Sequence, residues 1–467
     1  MNGGSSVPYR EAYEMAGSVR PHYQETLALV MATSTSDLSQ RVRAAVETLE
    51  VTFRDRPFPI DVVPRLLSSD EWRTLEAGAA QRARALNAFV VDVYGDQEVV
   101  RQGILPRAVI ETSAGFEPLL CGCWPTDCVP AAVVGLDVIK DATGSYLVLE
   151  DNLRSPAGMA FGDAAEEVRE MVLPSLSRHR RVEYSHLAEL RRSLRAAACP
   201  TQRDPLVVLL ADGSTAPAWY EHYTLARRLD ARVATYADLS LRGNDLALRD
   251  SHGRLRRVDV IYRRDGEERL QTPSGSLSPS GRLLLKPWLK GHLGLVNGFG
   301  TGVADDKLLH AYVPELIRFY LGEQPILDSV PTWGLATQDG RFSDHFGAVD
   351  IIESLPEFVI KPRFGQAGRG VAIYRETGPA EREQLKREIG HQAMDWIVQP
   401  FVQMSCHPSI TSEGLVERYV DLRPFVFTPT TGSSPSCTPL TRFGGVNQPL
   451  IFNFSRGSGV KPTWISK

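Results

Sequence analysis

Residues 358–371 read Phe358-Val359-Ile360-Lys361-Pro362-Arg363-Phe364-Gly365-Gln366-Ala367-Gly368-Arg369-Gly370-Val371. The pattern predicts a strand that ends in a lysine, then a glycine-rich loop and a second strand. Glycines allow backbone N–H groups to approach a phosphate chain closely, and the lysine adds a positive charge beside it. The loop is not a Walker A motif, because Gly-Lys-Ser/Thr and the following helix are missing. The stretch therefore indicates nucleotide binding, with a β-hairpin that has a flexible tip as the structural alternative.

A predicted β-hairpin at 131–150 carries oxygen ligands. Its strands span 131–139 and 146–150, with a turn at 141–144. Because strand side chains alternate, Glu150 and Asn152 point to the same face. Together with Asp137 they form a candidate Mg²⁺ site, since this cation prefers hard oxygen ligands and usually also binds substrate phosphates. A solvated acidic hairpin end is the alternative.

A glycine-rich turn at 297–307 leads into a predicted helix that Asp305 or Asp306 caps. This places Lys307 in the first helical turn, where a positive charge is unfavourable to the helix dipole. The lysine therefore indicates a role other than helix stability, although an ordinary capped helix start remains the alternative.

Two further segments suit a nucleotide and an acyl group. Residues 396–402 predict a strand that runs into an apolar bend, which suits stacking of an adenine, or else simply a core strand. Asp421 and Arg423 share one strand face, where an arginine can hold a carboxylate or acyl phosphate with two hydrogen bonds. Residues 451–461 predict a strand followed by Gly-x-Gly and cationic residues, which again suits phosphate. A surface ion pair and a C-terminal loop are the alternatives for this last pair of segments.

The composition is that of a globular protein with two or three packed domains. The chain has 467 residues, 43% hydrophobic and 23% charged, with a net charge of −4, which does not indicate nucleic-acid or anionic-membrane binding. The polar start has no signal-peptide core and no apolar run approaches the roughly 18 residues of a membrane helix, so we expect a cytoplasmic protein. The C-x-C-x4-C cluster does not match a zinc knuckle, so we expect reduced, mostly structural thiols at all six cysteines, which are Cys121, Cys123, Cys128, Cys199, Cys406 and Cys437.

The secondary-structure pattern changes along the chain. The first 110 residues predict mainly helices, among them one from Ser69 to Tyr94, and 165–198 is again helical. Residues 204–300 alternate strands and helices, which is typical of a small parallel sheet. The last third predicts a helix at 379–389 and largely antiparallel strands at 357–361, 371–374, 396–399, 420–427 and 451–454.

Together these segments resemble the ATP-grasp superfamily, with one change of order. The Asp306-Lys307 pair, Lys361, Gln399 and Arg423 keep the superfamily order, whereas the Asp137 and Glu150-Asp151-Asn152 segments, expected last, come first. The sequence is therefore similar to the circularly permuted ATP-grasp family, over about residues 9–464. Other stretches that resemble sequence motifs of that family are Val19–Tyr23, Arg56–Pro59, Ala85–Phe89, Asp92–Gly95, Leu149–Arg154, Val260–Arg264 and Gly302–Lys307.

The resemblance implies a mixed α/β and α+β fold in three parts. Residues 1–203 are expected to hold a helical segment and the permuted metal-binding part, 204–300 a small parallel-sheet substrate domain that precedes the ATP-grasp domain, and 301–467 the nucleotide-binding lobes. By the same resemblance, phosphate is bound by Lys307, Lys361 and the loop with Gly365, Gly368 and Gly370, adenine and ribose by Gln399, Phe401 and Val402, and one or two Mg²⁺ by Asp137, Glu150 and Asn152. The expected catalytic residues are Arg423, Lys361 and Asn453, with the loop of Gly457, Gly459 and Lys461 beside the acyl phosphate. The candidates for binding substrate are Arg154 and, at the end of a predicted strand, Tyr262, Arg263 and Arg264, for which a solvent-facing basic patch is the alternative.

The sequence departs from that family at several positions. The region before Arg56 is shortened, and Arg456, Ser458 and Pro462 stand where the resemblance leads us to expect Gln, Gly and Asp. These changes bear on substrate choice more than on ATP binding.

The implied activity is ATP- and Mg²⁺-dependent ligation of a carboxylate to an amine through an acyl phosphate. We expect amino acids or a small peptide as substrates, with γ-glutamyl and α-peptide bonds both open. Two alternatives remain at this point: a phosphotransferase that stops at a phosphorylated product, and a non-catalytic ATP-binding partner protein.

Overall fold

The computed structural model describes residues 7–125, 128–178, 184–266, 269–335, 358–365, 369–446 and 450–466. Its α-helices, in chain order, are α1 (Gln24–Met31), α2 (Thr35–Thr48), α3 (Ser69–Tyr94), α4 (Glu98–Arg101), α5 (Arg107–Glu111), α6 (Met159–Val172), α7 (His186–Ala196), α8 (Trp219–Leu229), α9 (Lys286–Leu289), α10 (Val313–Leu321) and α11 (Pro379–His391). Its strands are β1 (Thr52–Phe53), β2 (Arg56–Pro57), β3 (Arg65–Leu67), β4 (Val133–Lys140), β5 (Tyr146–Asn152), β6 (Val207–Leu210), β7 (Arg232–Ala234), β8 (Leu239–Arg242), β9 (Asp245–Arg249), β10 (Leu255–Arg257), β11 (Val260–Arg263), β12 (Gly294–Val296), β13 (Asp328–Ser329), β14 (Trp333–Gly334), β15 (Phe358–Pro362), β16 (Ala372–Ile373), β17 (Trp396–Pro400), β18 (Cys406–Thr411), β19 (Gly414–Phe427), β20 (Ser436–Phe443), β21 (Gly459–Lys461) and β22 (Thr463–Ile465).

A seven-stranded sheet contains strands from distant parts of the chain. Its order is β13-β5-β4-β19-β20-β21, and β18 also pairs with β19. The predicted hairpin is confirmed as β4 and β5, and β4 pairs antiparallel with β19, so that Leu422 lies opposite Val138. Elements that are far apart in sequence therefore meet in one sheet, as a permuted chain order requires.

A β-bulge in β5 decides which residues face the site. Asp137 pairs with Glu150 but the next pair is Val138 with Val148, so Leu149 is an extra residue on β5. The bulge keeps Glu150 on the same face as Asp137. On the opposite face, Val138 and Val148 are fully buried in the main core.

The second sheet, of order β14-β17-β15-β16, carries the lysine of the glycine-rich motif. Ile360 and Val398 pair across β15 and β17 and pack on the helix that was predicted at 379–389 and is present as α11. Lys361 and Gln399 lie on the opposite face, and the Gln399 amide donates to the backbone oxygen of Leu149. That face is thus turned toward the seven-stranded sheet.

The predicted parallel sheet is confirmed. Its order is β12-β11-β6-β7, and each neighbouring pair is parallel. A separate three-stranded antiparallel sheet of β8, β9 and β10 follows the first two parallel strands and was not expected. The domain boundaries at 203 and 300 stay predictions.

Helix α3 is the main helical support of the seven-stranded sheet. The predicted helix from Ser69 to Tyr94 is confirmed, and a capping box in which Ser68 and Glu71 exchange hydrogen bonds precedes it. From its middle, Arg82 makes a buried two-point ion pair with Asp151, at 2.8 and 2.9 Å. Among the residues that the structure describes, no helix has both the length and the apolar composition that crossing a bilayer requires.

The helical prediction at 165–198 is confirmed in its described parts, where α6 and α7 lie. Two other predicted elements differ in the structure. Residues 451–454 are not a strand, because Asn453 caps a short 3₁₀ helix at Phe454–Arg456. Within the described segment 269–335, no α-helix begins at Asp305: a 3₁₀ helix at Thr301–Asp305 ends there, and α10 starts only at Val313. Both errors concern irregular backbone, which short sequence patterns do not distinguish from a strand or a helix start.

Candidate active site

Lys361 is a buried cation that faces the gap between the two sheets. Its side chain is on β15 and the residue is only 6% exposed. Burial lowers the pKa of Lys361 to about 8, against the opposing effect of the Glu150 carboxylate. Among the described residues, its ammonium group has no hydrogen bond or ion pair. A buried ammonium without a direct counter-ion is costly, and it prepares the site for an anionic ligand.

Lys307 lies close to the same point. Its ammonium nitrogen is 3.9 Å from a Glu150 carboxylate oxygen and donates to the backbone oxygen of Gly365 at 3.2 Å. Since Lys307 also contributes to the lowered pKa of Lys361, the two lysines are near neighbours. The structure therefore brings together the 307, 361 and 150 segments, which the sequence places far apart.

Arg363 anchors the start of the glycine-rich loop. It is buried and makes a two-point ion pair with Asp306, at 3.1 and 2.6 Å. Asp306 also accepts from the backbone N–H of Leu308, so its role is to fix the turn that carries Lys307. Of the loop glycines, Gly370 has φ +72°, a left-handed conformation that favours glycine, whereas Gly368 lies outside the described residues.

Asp137 is held by two arginines rather than standing free. Arg423 donates to one carboxylate oxygen, and Arg442 lies 2.8 Å from the other. Burial alone would raise the pKa of Asp137, but the two guanidinium groups outweigh it and hold that pKa well below its usual range. Arg442 also pairs with Asp421, so these four charges form one buried network across β4, β19 and β20. Sequence reasoning missed Arg442, which the strand pattern does not distinguish from a surface residue.

Glu150 and Asn152 supply the more accessible oxygen donors. Both are partly exposed, and they follow each other on the site face of β5. The side-chain nitrogen of Asn152 is buried without a hydrogen-bond partner among the described residues. Because nitrogen and oxygen of an amide are assigned by their contacts, an unpaired terminal atom is compatible with an oxygen aimed at a cation. The donor set fits Mg²⁺ in chemistry, although no group of three or more His, Cys, Asp or Glu residues in the described segments is arranged to hold a metal.

An apolar cluster adjoins this polar end. Ile139, Val330 and Met404 form its buried centre. Val402 packs against it, as do Leu147 and Leu149 of β5. Phe401 stacks with the Arg375 guanidinium, whose carbon is 3.4 Å from the ring centroid, and Gln399 donates to Thr332 at 2.8 Å. An apolar patch beside paired lysines matches the two ends of a nucleotide.

The segment 153–158, directly after Asn152, is held at every residue by a charged side chain. We call it the strap. Its contacts are Asp305 accepting from the N–H groups of Leu153 and Arg154, Arg264 donating to Ser155 Oγ at 3.0 Å and to Pro156 O at 2.7 Å, Arg423 donating to Ala157 O at 3.0 Å, and Glu221 accepting from Gly158 N at 2.8 Å. Burial raises the pKa of Asp305 to about 6. The strap thus links the parallel sheet to Arg423.

The predicted substrate residues at the end of β11 are largely engaged within the protein. Tyr262 is buried, and the Arg263 guanidinium stacks 4.3 Å from the ring centroid of Phe299. Arg264 binds the strap, as described above. Arg154 contributes its backbone N–H to Asp305.

Lys461, from the C-terminal part of the predicted phosphate site, contacts a different set of residues from Lys307 and Lys361. The Lys461 ammonium is fully buried and donates to Pro408 O at 2.8 Å and Ser409 Oγ at 3.1 Å. Burial lowers the pKa of Lys461 to about 8, partly offset by Asp61. In the part of the chain that the structure describes, these contacts of Lys461 do not involve Lys307, Lys361 or Glu150. At Gly459 a side chain would meet a backbone oxygen at 2.3 Å, so this glycine serves close packing, whereas Gly457 has φ +86° and ends the 3₁₀ helix that Asn453 caps.

Three comparisons with known proteins bear on this arrangement. The family model described as circularly permuted ATP-grasp type 2 matches residues 64–444. An uncharacterised protein of Mycobacterium tuberculosis is 34% identical over 475 residues, which cover 98% of this chain and 84% of that protein. An uncharacterised protein of Synechocystis is 33% identical over 476 residues, with coverage of 98% and 96%.

A third relative has a ligase name. A longer protein of Frankia casuarinae, provisionally named a glutamate–cysteine ligase, is 35% identical over 474 residues, and this chain spans 54% of its length. Among solved structures, a glutathione synthetase-like effector of Globodera pallida in its apo form matches with a TM-score of 0.54. The match covers 92% of this chain and 96% of that chain, and since the sequences are only 9% identical, it shows a similar fold and nothing more. The permuted strand order, the matched family model and relatives that share a third of their residues over nearly the whole length all agree: the chain belongs to the circularly permuted ATP-grasp type 2 family.

Proposed function

We propose that the protein is an ATP- and Mg²⁺-dependent carboxylate–amine ligase that forms an amide or peptide bond through an acyl phosphate. Membership of the ATP-grasp family and the ligase name of the Frankia relatives support an ATP-dependent ligase in general terms. The observation that carries the proposal is Lys361, a buried ammonium without a counter-ion in direct contact among the described residues, beside Lys307 and Glu150.

In this proposal the triphosphate lies along the two lysines. Lys361 and Lys307 hold phosphate oxygens, and the loop that includes Gly365 and Gly370 covers them. The base lies against the apolar cluster, with Gln399, Phe401 and Val402 around adenine and ribose. The arrangement supplies positive charge where charge accumulates during phosphoryl transfer, and it excludes water from the reacting groups.

Glu150, Asn152 and Asp137 would hold Mg²⁺. When bound, the ion neutralises phosphate charge and orients the triphosphate. Asp137 joins this set only if Arg423 or Arg442 gives up one of its contacts, so Glu150 and Asn152 are the primary donors.

The acid substrate reacts near Arg423. Its carboxylate oxygen attacks the γ-phosphorus, ADP leaves, and an amine then displaces phosphate from the acyl phosphate. The guanidinium of Arg423 is fixed on two sides, by Asp137 and by the strap, so that it can stabilise the negative charge on the transferred group without reorganising. Asn453, with Gly457, completes the proposed set on this side, while Lys461 is set aside because its contacts lie elsewhere.

We propose amino acids or a small peptide as the substrates. The end of β11 and the strap would form part of the acceptor pocket, with Tyr262, Arg263 and Arg154 lining it. Arg264 acts there by holding the strap rather than by gripping substrate.

The test is an incubation of the protein with ATP, Mg²⁺ and pools of amino acids, followed by mass spectrometry of the products. Amine-dependent release of ADP and phosphate, together with a condensed product, supports the ligase. ADP with a stable phosphorylated product instead identifies a phosphotransferase, and tight ATP binding without turnover identifies a binding protein.

Two variants test the residue assignments. Lys361→Ala and Glu150→Ala should abolish ADP formation without loss of fold, whereas Lys290→Ala, at an exposed position, should not change it. Near-normal turnover in either of the first two variants would contradict the site.

A further inference from the structure

The cysteine cluster at 121–128 takes no part in the proposed ligase site. Cys121 and Cys123 are exposed free thiols, separated by Gly122. Of the other cysteines, Cys406 and Cys437 are buried. Two accessible thiols one residue apart are chemically different from the buried ones, and they require a separate explanation.

The backbone places both thiols in one tight turn. Cys121 has φ −60° and ψ 126°, Gly122 has φ +71°, and the N–H of Cys123 donates to Leu120 O at 3.1 Å. These are the features of a type II turn, which requires a positive φ at its third residue and therefore favours glycine there. Cys121 and Cys123 are the second and fourth residues of the turn.

This geometry places the Cα atoms of the two cysteines at a separation that a disulfide can span. Two residues span at most about 7 Å of extended chain, and a turn shortens that distance into the range of about 4.4–6.8 Å between Cα atoms that a disulfide needs. The two thiols also interact electrostatically, which contributes to a raised pKa of Cys121, after the larger effect of burial. The Cys123 thiol currently donates to Leu119 O at 3.0 Å, the one contact that it must release.

We propose that Cys121 and Cys123 form a reversible dithiol–disulfide site that reacts with small-molecule disulfides. The thiolate of one cysteine attacks a sulfur of the small disulfide, and one small thiolate leaves as the mixed disulfide forms. The second cysteine, after losing its proton to solvent, attacks the protein sulfur of the mixed disulfide, and the second small thiolate leaves. In total, the protein is oxidised by two electrons and the small disulfide is reduced to two thiols.

The surroundings hold the turn during this exchange. The N–H of Gly122 donates to the backbone oxygen of Tyr94 at 2.8 Å, and the Tyr94 ring is stacked between Phe116 and Trp124. Because the backbone of the turn is anchored at Gly122, it can stay in place when the Cys123 thiol leaves Leu119 O and the sulfur atoms change partners.

The test is treatment of the full-length protein with oxidised glutathione at pH 8, alkylation of the remaining thiols, and peptide mapping without reduction. We expect the peptide that carries both cysteines to lose two hydrogen atoms, to resist alkylation and to recover after dithiothreitol. In Cys123→Ser the second step is blocked, so a glutathione adduct on Cys121 should persist at least ten times longer than in the wild type. Circular dichroism should show unchanged folding, since both positions are exposed.

Cys128→Ser is the matched control and should leave the internal disulfide intact. The proposal is overturned if the wild type keeps glutathione adducts on both cysteines, if the adduct lives equally long in Cys123→Ser and the wild type, or if the disulfide requires Cys128. None of these outcomes depends on ligase activity.

Discussion

The affinity for MgATP should fall as pH rises through about 8, because of Lys361. Burial lowers the pKa of this lysine from 10.5 to about 8 in the free protein. A bound triphosphate stabilises the charged form and raises that pKa, so binding takes up a proton. The favourable contribution is therefore fully present well below pH 8 and is lost as pH rises through the pKa of the free protein.

The expected size follows from the shift. If only the protonated lysine binds phosphate, the affinity falls roughly twofold at pH 8 and roughly tenfold at pH 9, which is about 1.4 kcal/mol. At pH 8, binding should take up about half a proton for each nucleotide bound, since the free lysine is then half ionised.

Isothermal titration calorimetry with a non-hydrolysable MgATP analogue measures both quantities. Titrations between pH 7.5 and 9, in buffers that differ in ionisation enthalpy, give the dissociation constant and the proton uptake. Lys361→Arg is the matched control, because arginine stays charged over this range and should remove the pH dependence.

Two results would refute this reasoning. One is a wild-type affinity that stays constant between pH 7.5 and 9. The other is a Lys361→Arg variant that keeps the wild-type slope, since the proton would then bind to another group.

Three stability predictions follow from buried groups and can be measured by urea unfolding, at pH 7 for the variants and between pH 7 and 10.5 for the wild type. Lys361→Met should stabilise the ligand-free protein, because burial of the ammonium costs roughly 3 kcal/mol. In the wild type, the free energy of unfolding should rise with pH between about 8, the pKa of Lys361 in the folded protein, and 10.5, its pKa in the unfolded chain, because only the unfolded chain still holds the proton there. Gly459→Ala should cost about 1–3 kcal/mol, because the new methyl group would lie 2.3 Å from a backbone oxygen, whereas Gly390→Ala, in open space within α11, should not destabilise the protein; equal effects would contradict the packing argument. Arg82→Met should cost about 3–5 kcal/mol, because the Asp151 carboxylate would stay buried without its main partner, and a loss below about 1 kcal/mol would show that this ion pair adds little.

Much of the local structure was predictable from sequence. The β4–β5 hairpin, helix α3 and the parallel strands between residues 204 and 300 are confirmed, because strand alternation, helical periodicity and short apolar runs act over a few residues. The family was also recognisable, since the order of the motifs along the chain shows the permutation directly.

The irregular parts were harder to predict. The bulge at Leu149 cannot be seen in the pattern of β5, because it depends on the register against β4. The absence of an α-helix at Asp305 has a similar cause: this carboxylate accepts hydrogen bonds from Leu153 and Arg154, two residues that are distant in sequence.

The sequence by itself determined the family, the motif order and the type of residue at the proposed nucleotide site. Only the tertiary structure decided which charges meet: that Arg442 joins Arg423 on Asp137, that Arg264 holds the strap, and that Lys461 lies in another cluster. The physical reason is the distance along the sequence over which each interaction acts. Backbone preferences act between near neighbours in sequence, whereas the partner of a buried charge is set by the packing of whole sheets against each other, which no short stretch of sequence encodes.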